Sequence, residues 1–369
     1  MHIIRLILLT LLLGACNKGH QPALTEPQAL KYAELLQLTV CDSFTQVTVK
    51  NVWNQGHDLA NYVLVPREQP MPKQRPEGIV LRTPLQRAVL HSSVHAALLC
   101  DLQAQAAIAG LTDTAYIVSP RLKALFSQGT SDAGSSIQPD LEKLHQLQAD
   151  AVLVSPFENA GHGVLDRAGV PLIECADYME TSPLGRAEWM RFYGRLFGKA
   201  QQADSLFAAI ETQYNRLKAQ IAQTESRRPT VFCDLRTGGV WYQPGGQSTM
   251  GQWIADAGGI YVWANNPKSG GIPLDLESVY AKAHEADIWL IKYGDPTPLT
   301  YRQLSLDSPT YPRFSAWKKR QIYSCNTLQI PFYEEVPFHP ERLLLNLAAI
   351  FHPSSLPGQT MDYYRPMQP

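Results

Sequence analysis

The chain has 369 residues, 45% of them hydrophobic and 18% charged, and a formal net charge of −1. That length suits two domains with substantial cores. A charge so near neutral excludes nucleic-acid binding driven by bulk electrostatics.

In chain order, MHIIRLILLTLLLGAC carries one Arg, an apolar run too short to span a bilayer stably, and a small-residue end. Leu13-Gly14-Ala15-Cys16 resembles a bacterial lipobox, so residues 1–15 are predicted to be a signal peptide and Cys16 the lipidated first residue of the mature chain. Several acyl chains on one Cys anchor stably, since each buried methylene contributes about 0.8 kcal/mol. No acidic cluster follows Cys16, which places the anchored protein on the periplasmic side of a bacterial membrane, in a Gram-negative cell. Residues 16–86 read as a tether followed by a β-hairpin extension. In it FTQVTVKNVW and NYVLVPR flank Asn54-Gln55-Gly56, and the Pro-rich MPKQRPEG follows.

From Arg87 strands and helices alternate: AVL, the HSSVHAALLCDL helix, IAGLT, a helix from Asp140 into AVLVSPF, then VPLIEC. This implies a mostly parallel sheet covered on both faces, an N-terminal α/β lobe over 87–185. Residues 186–228 differ. Trp189, Phe192, Leu196, Ala200, Ala203, Phe207, Ile210, Tyr214, Leu217 and Ile221 form one apolar helical stripe, interrupted only near Gly194 and Gly198. A short helix to Phe197 and a long one from Lys199 to about Thr224 are predicted. Alternation restarts over 229–353 with TVFCDL, the Gly-rich loop GGVWYQPGGQ, a helix capped by Ser248, and IWLIKYG. Residues 354–369 read as a loose Pro-rich tail.

One unit is written twice. DLEKLHQLQADAVLV from Asp140 and DLESVYAKAHEADIWLI from Asp275 both open on Asp-Leu-Glu, reach an Ala-Asp pair and end in an apolar run. The repetition points to two separate α/β lobes around a cleft, with a long helix between them. Five further cysteines (Cys41, Cys100, Cys175, Cys233, Cys325) are widely spaced and odd in number, which favours buried free thiols over a disulfide framework.

Catalytic constellations are missing. There is no phosphate-binding GxxxxGK[ST] and no HExxH, and GGQSTMG places Met250 where a nucleophile elbow needs Gly. His91 and His95 share a helical spacing but lack a third metal ligand, so neither a metal site nor a cofactor is expected. Loops that follow strands lie at the carboxyl edge of a parallel sheet, where ligands bind. In the first lobe these loops hold His91, Ser92, Ser93, Phe157 and Tyr178. In the second they hold Arg236, Trp241, Tyr242, Trp263, Tyr293, Phe332 and Tyr333. Such aromatics suit a bulky, partly planar ligand, and Arg236 suits an anionic group on it. Packing between lobes is the competing reading for each aromatic.

The order of the lipobox, PDLEKLHQLQADAVLVSPFENAGHG, PLGRAEWMRFYGRLFG, GGVWYQPGGQSTMGQWIADAGG and PFYEEVPFHPERLLLNL resembles the periplasmic substrate-binding proteins of ABC importers for iron–siderophore complexes, haem and cobalamin. The resemblance runs from about Arg87 to Pro353 and leaves the hairpin outside. It implies two Rossmann-like α/β lobes joined by a rigid helix, with little lobe movement. It implies no enzyme activity, an ABC permease and its ATPase as partners, and a ligand that itself carries iron or cobalt. One exposed Glu per lobe would dock on the permease: Glu158 in SPFENAGHG, and Glu334 or Glu335 in PFYEEVPFH. Many aromatics beside one prominent Arg favour cobalamin or another macrocycle over siderophores. The alternative is a lipid-anchored, chelatase-like enzyme acting on tetrapyrroles.

Overall fold

A computed structural model describes residues 27–28, 30–158 and 160–369. The signal peptide and Cys16 lie outside the described residues. The extension contains β1 (Pro27–Gln28), β2 (Leu36–Val40), β3 (Thr45–Lys50), β4 (Asp58–Pro66) and β5 (Ile79–Thr83). They form one sheet in that order, antiparallel except for the parallel β4–β5 pair. The expected hairpin, β3–β4, is therefore only the centre of a larger sheet. β5 escapes a turn-based reading because a parallel partner needs a long crossover, here the Pro-rich connector.

Leu36, Leu38, Val47, Val49 and Tyr62 bind the extension into the main core. Two buried carboxylates hold its leading segment. Glu188 accepts the backbone N–H groups of Lys31, Tyr32 and Ala33 at 3.1, 2.8 and 3.0 Å. Glu180 accepts those of Glu34 and Leu35 at 3.0 and 2.9 Å. Each such charge-assisted bond is stronger than a neutral one.

The first lobe runs β6 (Ala88–Leu90), α1 (Ser93–Asp101), β7 (Ile108–Leu111), α2 (Pro120–Ser127), β8 (Ser131–Asp132), α3 (Leu141–Gln146), β9 (Ala151–Val154) and β10 (Leu172–Glu174). Its sheet is wholly parallel in the order β10-β9-β6-β7-β8. The strand order reverses between β6 and β9, the position at which open α/β sheets bind ligands.

Three helices follow: α4 (Pro183–Glu188), α5 (Met190–Leu196) and α6 (Ala200–Ala222). Buried Ala203, Phe207, Ile210, Tyr214 and Ile221 realise the stripe read from the sequence. Gly198, with φ 67°, marks the break between α5 and α6. Gly194 does not break α5. A Cβ there would meet the Ala203 Cβ at 2.4 Å, so this glycine lets the two helices approach.

The second lobe comprises β11 (Thr230–Cys233), β12 (Arg236–Thr237), β13 (Val240–Pro244), α7 (Thr249–Asp256), β14 (Ile260–Tyr261), β15 (Gly271–Leu274), α8 (Leu276–Ala283), β16 (Ile288–Tyr293), α9 (Tyr301–Asp307), α10 (Ser315–Lys318), β17 (Ile322–Asn326), α11 (Phe332–Glu335), α12 (Pro340–Phe351) and β18 (Arg365–Pro366). Its main sheet is ordered β14-β11-β16-β17-β18, with a small β12-β13-β15 sheet beside it. The tail is not loose: β18 pairs with β17, and Tyr363 and Tyr364 are buried.

The repeated unit has a structural cause. Asp140 caps α3 by accepting the N–H groups of Glu142 and Lys143, and Asp275 caps α8 by accepting that of Ser278. The second Asp of each copy closes the neighbouring strand's start. Asp150 accepts the N–H groups of Gln86 and Arg87 ahead of β6, at 2.6 and 3.1 Å. Asp287 accepts that of Thr230 at the start of β11, at 3.0 Å. Both copies therefore cap a helix and fasten a central parallel pair.

The lobes are joined away from α6 as well. From α11, the Glu334 carboxylate accepts the N–H groups of Val118 and Ser119 at 2.9 and 2.7 Å. His339 donates to Asp101 at 3.0 Å, and Arg121 reaches the same carboxylate at 2.7 Å. The five cysteines after Cys16 are all free, and all but Cys100 are buried.

Candidate ligand-binding site

At the first lobe's switch point, His91 follows β6 and the Ser155–Phe157 loop follows β9. Both line an open cavity of about 670 Å³. Its rim is apolar although it faces water: Ile137, Phe157 and Val164 are 87%, 65% and 48% exposed. Apolar side chains gathered this way mark a binding surface. Two imidazoles share the cavity. Burial pulls His91 down to about 4, against the nearby Asp113 carboxylate and helped by His162, so it is neutral at pH 7 with a lone pair free. His162 is bonded to Glu174 at 2.8 Å, and this bond raises its pKa despite partial burial. A carboxylate behind an imidazole fixes its orientation, as behind metal-bound histidines. Ser92 is the N-cap of α1, accepting the Val94 N–H, and Ser93 opens that helix.

Tyr178 stands between this cavity and a second one. Its hydroxyl donates to the Pro156 carbonyl, and its ring lies 6.5 Å from that of Phe157. The second cavity, about 950 Å³, takes one wall from Tyr178–Thr181. It takes another from Thr249, Ser269 and Gly270 of the second lobe, and a third from the extension.

Beneath Tyr178 lies a closed polar cluster. Asp177 accepts from His95 at 2.9 Å, Tyr193 at 2.8 Å and Arg186 at 3.0 Å. Burial opposes charge on both His95 and Asp177, yet the facing groups win: Cys175 and Asp177 raise His95, and His95 with Arg186 holds Asp177 low. Cys175 is buried beside them, and neither His95 nor Asp177 reaches solvent. The cluster fastens α1 to α4 and α5. His95 and His91 are therefore not a metal pair, and no group of three metal-ligating side chains exists among the described residues.

The second lobe's switch point, between β11 and β16, is filled. Trp241 is wholly buried, and its indole N–H donates to the Cys233 carbonyl at 2.9 Å. Gln243 bonds both the N–H and the carbonyl of Cys233. Lys292 pairs with Asp234 at 2.9 Å; burial disfavours the ammonium, and Asp234 overcomes this and raises it. Trp241 belongs to an aromatic core with Phe232, Trp289, Tyr311 and Phe314, ring centroids 5.6 to 6.2 Å from its own. It offers no face to a ligand. The alternating burial of β13 accounts for this, since Trp241 and Gln243 point inward and Tyr242 outward.

The remaining second-lobe candidates divide in the same way. Trp263 and Phe332 are buried, so both drop out as ligand walls. Tyr293 is half-buried, and its hydroxyl accepts the Leu299 N–H. Arg236 is half-buried in β12. Tyr242 and Tyr333 are 55% and 54% exposed and keep open faces.

Of the three docking acids, Glu334 is buried on Val118 and Ser119 and presents no carboxylate to a partner. Glu158 is exposed on its turn. Glu335 is half-exposed, accepting from Tyr363 at 2.9 Å with Arg342 at 3.5 Å. Sequence reasoning missed His162, Glu174 and the Asp234–Lys292 pair. The position of Lys292 near the end of an apolar strand was the available signal for that pair.

Two α/β lobes, a helical strut between them and an open cavity at one switch point make an architecture able to hold a solute. The Periplasmic binding protein family profile matches residues 98–327, and the chain belongs to that family. Its members are solute-binding proteins, not enzymes, which sets aside the chelatase alternative. The chain is 22% identical over 319 residues to an uncharacterized lipoprotein of Methanocaldococcus jannaschii, covering 82% of this chain and 75% of that one. A second uncharacterized lipoprotein of that organism is 27% identical over 269 residues, 70% of this chain and 67% of its own. These relatives are archaeal and lend no support to a Gram-negative envelope. Among solved structures, a periplasmic heme-binding protein from Pseudomonas aeruginosa aligns with a TM-score of 0.59 and 19% identity, over 77% of this chain and 99% of its own. An ABC-type Fe3+-hydroxamate transport protein from Saccharomonospora viridis aligns with a TM-score of 0.58 and 19% identity, over 73% and 94%. Both likenesses establish the fold.

Proposed function

We propose that this protein captures a bulky metal chelate between its lobes and delivers it to an ABC permease, anchored to the membrane through Cys16. The candidates are haem, an iron–siderophore complex or a corrinoid. The observation that carries the reading is the open first-lobe switch point, with a neutral His91, the Glu174-backed His162 and an exposed apolar rim around one cavity. Imidazole is a ligand for iron and cobalt, and the apolar rim suits a large organic scaffold. The folds that bind heme and Fe3+-hydroxamate in other organisms give the same reading support. Within the lobes a macrocycle is favoured over a multiply anionic siderophore, because Arg236 is the only arginine among the candidate ligand residues. Glu158 and Glu335 are the acids that would meet the permease.

The test is titration of the purified protein with haemin, a ferric hydroxamate and cyanocobalamin, followed by absorbance and tryptophan fluorescence. One of the three should bind, and His91→Ala should weaken it at least about tenfold, roughly 1.4 kcal/mol, with thermal stability unchanged. Binding of none, or equal binding by the variant, would remove the site as described.

A further inference from the structure

The extension lies wholly outside residues 98–327, so the family profile gives it no role. Its placement gives it one. We propose that the tip of the β3–β4 hairpin is a third wall of the ligand site, with Trp53 gripping a flat, conjugated part of the same guest. This rests on the chelate reading above.

Three observations carry it. The 950 Å³ cavity is bounded by hairpin residues Lys50 to Asp58, by Tyr178 of the first lobe and by Thr249, Ser269 and Gly270 of the second, so the hairpin faces both lobes across one space. That space borders the imidazole-bearing cavity, since Phe157 lines one and Tyr178 the other with their rings 6.5 Å apart, which puts the hairpin wall beside the imidazoles. The tip is also built to hold its shape. Asn51 Oδ1 accepts the N–H groups of Trp53 and Asn54 at 2.9 and 3.0 Å, and His57 N–H donates to the Asn54 carbonyl at 3.2 Å. A register shift at Val49/Lys50 bends the strand just below it, the kind of irregularity that re-aims side chains beside functional sites. Lys50 N–H donates to the Leu35 carbonyl at 2.8 Å, and the segment that ends at Leu35 is bolted to the body through Glu188 and Glu180, the latter itself lining the cavity.

Trp53 is half-buried, makes no aromatic pair among the described residues, and lines the same cavity as Tyr178. Rings held in place before a ligand arrives stack without losing further conformational freedom. Lys50 and His57 stand at the rim, where they suit anionic substituents at the guest's edge.

The experiment compares the full chain with Trp53→Ala, Trp53→Phe and His91→Ala, titrating haemin, a ferric hydroxamate and cyanocobalamin and recording thermal stability without ligand. Expected is a loss of affinity of about fivefold or more for Trp53→Ala, most of it restored in Trp53→Phe, with unliganded stability unchanged. If wild type binds and His91→Ala does not, yet Trp53→Ala binds normally, the hairpin wall is overturned and the chelate reading survives. If Trp53→Ala loses affinity only as its unliganded stability falls, the wall is also overturned. If wild type binds none of the three, the chelate reading and the wall fall together.

Discussion

Asp177 shows how one carboxylate ties three elements into a unit. It accepts from His95 of α1, Arg186 of α4 and Tyr193 of α5. Removing one partner of a buried charge pair costs about 3–5 kcal/mol, because the other charge is left unpaired. Asp177→Ala is therefore expected to lower the unfolding free energy obtained from a urea titration by about that much. The pH dependence has a definite sign. The raised His95 contributes stability that is complete below its unfolded value of 6.5 and is lost as pH climbs through its higher folded value. The depressed Asp177 contributes stability present above 3.8 and lost as pH falls through about 2. The gap between wild type and variant should be widest between about pH 4 and 6.5 and should narrow on either side. At Trp241 the expected consequence is structural too. Truncating a fully buried indole costs about 3–5 kcal/mol, so Trp241→Ala should lose stability in chemical denaturation. An unchanged midpoint would place Trp241 outside the core. His91 carries the opposite kind of effect. Held to about 4 by burial, it stays neutral through the physiological range, so the affinity difference between wild type and His91→Ala, for whichever test chelate binds, is expected to be constant from pH 8 to about 5.5 and to shrink as pH drops through about 4, whatever the titration of His162 adds to both.

At the scale of elements, α11 acts as a bolt between lobes. Glu334 satisfies two N–H groups ahead of α2, and Glu334→Ala leaves both without a partner at about 1–3 kcal/mol. The measurement is amide exchange at Ser119, which should speed up about tenfold or more in the variant while amides within β16 hold; unchanged exchange would deny the bolt. This helix also shows where sequence legibility ends. Glu334 and Glu335 are neighbours of one type, and which is buried depends on α2 docking from the other lobe, a contact 215 residues away along the chain. The elements themselves were readable where the signal is local. The stripe of α6, the Asp140 and Asp275 caps and the Ser248 cap follow from periodicity and capping chemistry. The inward face of Trp241 was readable from the alternation in VWYQP, but a Gly-rich setting made the segment resemble a loop. β5 and β18 were not readable, since each pairs with a strand beyond a Pro-rich stretch.

For the whole molecule, contacts brace the parts against one another. α5 and α6 meet at Gly194, Tyr214 donates to Asp256 of α7 at 2.8 Å, and the extension is clamped to the first lobe. A binder that moves little loses little affinity to closing. Presenting its cargo would then rely on fixed surface acids. Reversing Glu158 and Glu335 together to Lys is expected to stop uptake in cells while leaving ligand affinity unchanged, and normal uptake would end that assignment. The proposed role is to hold one metal chelate at the two bordering cavities without transforming it. Native mass spectrometry of the protein isolated from its own cells tests this most directly. Expected is a single added mass, matching an intact iron or cobalt chelate and diminished in His91→Ala. A folded protein carrying only its polypeptide and lipid mass, even when isolated from chelate-rich cultures, would contradict it.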